Sequence, residues 1–218
     1  SIAFFIQMSD FGLSAALTRT ISYLYSRKEN SVSEYTTTIT FDLDKTILSS
    51  FSVSVILSLT IFFFITLFSF FFKPSFGLPD SIEARNAFLI FCAGISIHLM
   101  SITALSVLNV LGDVGLDNLC RTIGQFIGFI FILLFLPIYK SIVTLSMSFL
   151  LQSISIFLLS CILFLKKYYR FFSNGFQFDL SVIKYLFKTG FPNFIAQLGT
   201  ELVFIYKHLI SLDLKTYR

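Results

Sequence analysis

Apolar residues in this chain do not recur on one helical face or alternate. They run in blocks of about 20 residues or more, separated by short clusters of charge, proline and glycine. The clearest block, Ile47 to Phe72, carries no charge. At about 1.5 Å per residue it is long enough to cross roughly 30 Å of hydrocarbon as a helix. Lys73, Pro74 and Gly77 end it. A second block runs from Asn86 to Gly112, a third from Thr122 to Tyr139, and a fourth from Ser141 to Leu165, where Lys166, Lys167 and Arg170 stop it. Only Lys140 separates the third from the fourth.

Two flanking segments are less clean. Ser1 to about Leu24 is interrupted by Asp10 and Arg19, and Val182 to Leu212 by Lys184, Lys188, Glu201, Lys207 and His208. A charge at mid-bilayer costs at least about 2.5 kcal/mol, so these segments should face a cavity or partner helices. The pattern predicts an all-α, polytopic transmembrane helix bundle of about five crossings, forming a single transmembrane domain over residues 1–218. A soluble core helix would show a polar face, whereas Ile47 to Phe72 offers only Ser and Thr, whose hydroxyls can bond carbonyls four residues earlier. A membrane β-barrel would show alternating segments of about ten residues.

Composition supports the same solvent: 56% of residues are hydrophobic and 13% charged. With 30 Phe and no Trp, the interfacial belt falls to Tyr23, Tyr25, Tyr139, Tyr168 and Tyr169 at block ends. Cys92, Cys120 and Cys161 have none of the Cys/His spacings of a metal site and read as small buried hydrophobes. The chain opens at Ser1 already inside an apolar run, which reads as a fragment. The net charge of +4 sits beside spans rather than on one polar face, which points away from nucleic acid.

Alternating sides from loop to loop tests the topology. One side collects Arg19, Arg27, Lys28, Lys45, Arg121, Lys166, Lys167, Arg170, Lys184 and Lys188, and the other has Lys73, Arg85 and Lys140. The positive-inside rule makes the first side cytoplasmic.

Three stretches carry a family resemblance: DFGLSAALTR (Asp10 to Arg19), ALSVLNVLGDVGLDNLCRTIG (Ala104 to Gly124) and YLFKTGFPNFIAQLGTELVFIYKHLIS (Tyr185 to Ser211). In this order and spacing they resemble the polysaccharide transporters, the O-antigen flippase type, of the multidrug/oligosaccharidyl-lipid/polysaccharide (MOP) exporter superfamily. The matching features are an Asp-x-Gly-Leu followed by an Arg, an Asn then Arg (Asn118, Arg121), and a Gly-x-Pro (Gly190, Pro192). Tyr206 stands before Lys207 where the family often has an acidic residue. The resemblance implies a partial MATE/MOP-like bundle, from inside the second helix to the seventh of a 12- to 14-helix protein. It also implies a multi-pass protein of the bacterial cytoplasmic (inner) membrane, serving O-antigen, lipopolysaccharide or capsular polysaccharide assembly.

The candidate residues follow from charge inside apolar segments. Arg19 is a candidate for the substrate pyrophosphate, which a guanidinium grips bidentately, and alternatively a snorkelling cation. Asp10 is a second candidate, nine residues away and on the opposite helix face. Asn118, Arg121 and Gln125 recur at helical spacing and either line a polar lumen or hold helices together. His98, mid-span, is a candidate for ion coupling, with a neutral histidine bonded to a neighbouring helix as the alternative. Glu201 and His208, seven apart and on one face, form a possible titratable pair. Gly190 and Pro192 should break or kink their helix. The Asp113 to Asp117 spacing reads as loop punctuation.

No catalytic motif is found, no cofactor or metal is expected, and the chain reads as a non-enzyme. The function implied by the resemblance is flipping of undecaprenyl-pyrophosphate-linked oligosaccharide repeat units by alternating access, with membrane lipids and polysaccharide-assembly proteins as further partners. The competing readings are a membrane-embedded polysaccharide polymerase or acyltransferase, disfavoured by short outer loops, and an inactive truncated remnant.

Overall fold

A computed structural model describes residues 13–29, 42–71, 82–169 and 179–216. Six helices follow one another: α1 (Leu13–Glu29), α2 (Leu43–Phe71), α3 (Ile82–Val110), α4 (Val114–Tyr139), α5 (Ile142–Tyr168) and α6 (Leu180–Thr216). Among the described residues there is no β-strand. Leu43–Phe64 of α2 and the whole of α3, α4 and α5 are long and apolar enough to cross a membrane. The helices extend past several of the apolar blocks that generate them. Residues such as Lys45, Glu83 and Asp117 thereby become parts of helices.

α3 is the hub, packing against α1, α2, α4 and α5, and every residue from Ser101 to Leu108 is buried. That stretch is rich in Ser, Thr and Ala, so neighbours can approach on all sides. Lipid chains are as apolar as leucine, and burying apolar surface therefore drives little association between helices in a bilayer. Close packing and interhelical hydrogen bonds do it instead.

Both devices are present. Hydroxyls of α2 first satisfy themselves one turn back: Ser50 Oγ donates to the Thr46 carbonyl (2.6 Å) and Ser54 Oγ to that of Ser50 (3.0 Å). Others reach across. Ser58 Oγ donates to the Ser96 carbonyl of α3 (2.6 Å), the Ser54 and Thr103 hydroxyls pair, and Ser148 Oγ of α5 donates to the Gly128 carbonyl of α4 (3.0 Å). Glycines let the backbones close in. A Cβ on Gly124 would lie 2.3 Å from Ile156 Cγ1, one on Gly128 3.2 Å from Gln152 Cβ, and one on Gly94 2.7 Å from Phe149 Cδ1. Gly124 and Gly128 stand four apart and form a Gly-x-x-x-Gly seam against α5.

Contacts at the helix ends fix the up-and-down order. At one end Asp113, between α3 and α4, meets Lys167 and Tyr168 of α5, and the Asp179 N–H at the start of α6 donates to Ser49 Oγ of α2. At the other end Ser141 donates to Glu83 Oε1 (2.5 Å), joining the starts of α5 and α3. The first end also holds the largest core cluster, with Leu17, Ile21, Ile47, Phe164, Val182 and Leu186 drawn from four helices.

α6 is one continuous helix through Gly190 and Pro192. Of the expected break or kink, an interruption is absent, although proline deprives the Lys188 carbonyl of its usual N–H partner. Next to the proline, Asn193 Nδ2 donates to the Thr189 carbonyl (3.1 Å), and Thr189 Oγ1 to that of Tyr185 (2.9 Å).

The seam predicts opposite outcomes for two glycines. Gly124→Ala should destabilise the purified protein in detergent by about 1–3 kcal/mol of overpacking, reduced by alanine's better helix propensity. Combined with Ile156→Ala, which removes the clashing atom, the loss should be smaller than the sum of the two single losses. Gly115→Ala, whose Cβ would meet no atom within 4 Å, should leave the thermal midpoint unchanged or raise it. Strict additivity of Gly124→Ala and Ile156→Ala in thermal melts would remove the close approach as the cause.

Candidate functional site

Polar side chains gather where α3 turns into α4 and α5 ends. Asp113 occupies the N-cap position of α4 but makes no side-chain cap bond to its own helix. Its carboxylate points across to α5 instead, where it accepts from the Lys167 ammonium and from the Tyr168 hydroxyl (2.5 Å). Lys167 also lies over the Tyr168 ring, 5.7 Å from its centroid. The Lys167 and Tyr168 donors hold the Asp113 carboxyl below the usual carboxylate range.

One turn further, Asp117 is buried and engaged on both oxygens. Asn109 Nδ2 of α3 donates to Oδ2 (3.1 Å) and Arg121 Nε to Oδ1 (2.8 Å). A buried carboxylate with two donors is a fixed anchor for the cation beside it. Arg121, 41% exposed at its side chain, bonds Asp117 through Nε, which leaves its terminal nitrogens outside that bond.

His98 sits about three turns before Asn109 along α3, and its Nδ1 is buried without a hydrogen-bond partner among the described residues. The bond to a neighbouring helix that would suit a structural histidine is not made at that nitrogen. Arg121 lies within electrostatic reach of the ring.

The other predicted residues separate. The buried face of α4 is Asp117, Cys120, Gly124 and Gly128, and Arg121 joins it through Asp117. Asn118 and Gln125 are exposed, away from that seam. Arg19 is exposed on α1, opposite the buried Ala16, Leu17, Thr20 and Ile21. It stands ten residues, about 15 Å, before the end of its helix at Glu29. A mid-helix guanidinium has further to stretch to reach an interface than one at a helix end. Asp10 lies outside the described residues. Glu201 and His208 lie on α6, with side chains outside the described set.

Sequence reasoning missed Asp113, Asp117, Asn109 and Lys167 as a network. A signal was available in two acidic residues four apart at a helix start, one of them four before an Arg. It also left out Lys184 and Lys188, exposed one turn apart on the face of α6 opposite the buried Val182, Leu186 and Gly190. Since α1 packs against α6, these lysines and Arg19 share one pair of helices. Among the described residues no His/Cys/Asp/Glu group has the geometry of a metal site.

No protein-family model matches the chain, and no curated protein matches it by sequence. Its fold does match a solved structure. That structure is of a MOP superfamily transporter from Pyrococcus furiosus Vc1 (DSM3638), whose binding pocket is described as having reverse polarity that suggests a different function. The match has a TM-score of 0.71 at 15% identity and covers 94% of this chain and 44% of that one. This chain thus has the fold of part of a MOP superfamily transporter and spans less than half of that protein's length.

Because Asp113 is more acidic folded than unfolded, its stabilising contribution is complete above about pH 4 and is lost as pH falls through its lowered folded value. Between pH 6 and pH 3, wild type should lose more thermal stability than Asp113→Asn. Asp179, held low by the Ser181 hydroxyl and N–H, contributes the same slope to both proteins. Parallel pH profiles in thermal melts would show that the Asp113 contacts add nothing.

Proposed function

We propose that this chain forms part of a bacterial inner-membrane flippase that carries undecaprenyl-pyrophosphate-linked oligosaccharide from the cytoplasmic to the outer leaflet. The single observation that carries the reading is Arg19, an exposed guanidinium in mid-helix on a helix whose other face is apolar and buried. A charge so placed is costly in hydrocarbon and is retained where it meets a polar cavity or an anionic ligand. Lys184 and Lys188 on the adjoining α6 add cationic charge, suited to a diphosphate and poorly suited to a cationic drug.

In this reading the diphosphate meets Arg19 and the α6 lysines, the glycan occupies the polar space facing the rest of the protein, and the isoprenoid tail stays in the bilayer. Asn118 and Gln125 offer uncharged hydrogen-bonding groups to sugar hydroxyls, and Arg121, fixed by Asp117, offers a second cation. Asp10, His98, Glu201 and His208 remain candidates for coupling transport to an ion. No covalent bond changes, and no cofactor takes part. The end carrying Lys45, Lys166, Lys167, Lys184 and Lys188 faces the cytoplasm by the positive-inside rule.

Two measurements test this in the full-length protein. Arg19→Ala should reduce surface-polysaccharide export about tenfold or more, the scale of losing a hydrogen bond to a charged group, and Arg19→Lys should do less harm. Equal export by wild type and Arg19→Ala at equal protein level would remove the diphosphate role. Deletion should trap lipid-linked oligosaccharide, with unchanged glycan composition, in the cytoplasmic leaflet, as read by leaflet-resolved labelling. A polymerase would leave single exported units unjoined, and an acyltransferase would leave a polymer without its acyl group.

A further inference from the structure

The tight α4–α5 seam opens toward the short turn that joins the two helices. Between the Gly128 contact and that turn lies a groove of about 240 Å³. One wall is Phe131, Phe135 and Tyr139, spaced by four on α4, and the other is Val143, Thr144 and Met147 of α5. The aromatic wall is a ladder: the Phe131 and Phe135 rings stack at 4.5 Å, and those of Phe135 and Tyr139 at 6.2 Å. α4 is the least buried of the four apolar helices, with Ile130, Leu133, Leu134 and Ile138 exposed beside the groove. In a membrane the groove is therefore open to lipid.

At its mouth stands Lys140, whose backbone N–H closes α4 by donating to the Leu136 carbonyl (2.9 Å). Its φ of 45° is left-handed, and it is the one non-glycine among the described residues with positive φ. Glycine is the residue that this cap position favours, so a lysine is held here against its backbone preference. The side chain is exposed and makes no ion pair with a described residue. Among the described residues, Glu83 at the neighbouring start of α3 takes the Ser141 hydroxyl. Lys140 lies between the groove-lining Tyr139 and Ser141, and an exposed lysine with no ion pair among the described residues, beside an apolar, lipid-facing groove at the end of two membrane helices, matches an amphiphile with an anionic head and an apolar tail.

We infer that this groove binds an anionic phospholipid, with one acyl chain along the Phe131–Phe135–Tyr139 ladder and the phosphate at the Lys140 ammonium. The site lies at the opposite end of the helices from the Lys167 cluster and is independent of the proposed transport reading.

The chain contains no tryptophan, which permits a direct reporter. The protein carrying Phe135→Trp, with the unsubstituted protein as blank, is reconstituted in phosphatidylcholine vesicles with increasing brominated-acyl phosphatidylglycerol or brominated-acyl phosphatidylcholine. Half-maximal quenching should come at an about fivefold lower mole fraction of the phosphatidylglycerol, the scale of one lysine near an anionic headgroup. Lys140→Gly should abolish that preference while leaving the melting temperature unchanged or raised, since glycine suits the left-handed cap. Phe131→Trp should report the same preference, which guards against a local effect of one reporter. Equal quenching by both headgroups, or a preference that survives Lys140→Gly, would overturn the assignment. So would relief of quenching by polyprenyl phosphate at a lower mole fraction than phosphatidylglycerol, which would give the groove to an isoprenoid tail.

Discussion

The fold depends on one constraint: inside hydrocarbon every polar backbone and side-chain group must find a partner in the protein, and apolar contact alone does not select one helix neighbour over another. Several Ser and Thr residues of α2 and α3 meet both requirements. Those bonded one turn back on their own helix cost the chain no unsatisfied group, as with Ser50 and Ser96. Those that reach across, Ser58 to the Ser96 carbonyl and Ser54 to Thr103, specify which helix lies next to which and in what register. The glycines set the distance. Gly94, Gly124 and Gly128 all face α5, so α3, α4 and α5 close into a compact group around it.

The helix ends use a different chemistry. At the α3–α4 turn charge is neutralised within the protein, Asp113 by Lys167 and Asp117 by Arg121, with the Tyr168 hydroxyl and the Asn109 amide donating a further hydrogen bond to each. Turning Asp113 away from its own helix gives up a cap bond and joins the last turn of α5 to the first of α4. Lys167 also gains from lying at the C-terminal, partly negative end of α5. Arg19 on α1 and Lys184 and Lys188 on α6 are exposed cations outside this network.

The helix class and the four long apolar helices were legible in the sequence, because about 20 uncharged residues in a row have no stable alternative in or out of a bilayer. The alternation of sides was legible too. Lysine and arginine accumulate by loop rather than by position, and the end contacts of Asp113, Asp179 and Glu83 follow that alternation. Segment limits were less so: Asp117, Asn118 and Arg121 read as the approach to a span, but the helix begins at Val114, since helices project past the hydrocarbon they cross.

What only the tertiary structure decided is which side chains meet. Helical spacing put Asn118, Arg121 and Gln125 together, but spacing alone does not say which way a helix is turned. The Gly124 and Gly128 seam sets that rotation, drawing Asp117 inward, with Arg121 tied to it at the edge, and leaving Asn118 and Gln125 outside. The approach of Asp113 to a lysine 54 residues away depends on α3, α4 and α5 packing antiparallel. The groove below Lys140 exists because two helices that touch at glycine diverge around phenylalanine. Local sequence determines that each segment is a membrane helix, through the cost of leaving backbone groups unsatisfied in lipid. The partners, distances and rotations come from long-range packing, because in hydrocarbon only shape and hydrogen bonds distinguish one neighbour from another.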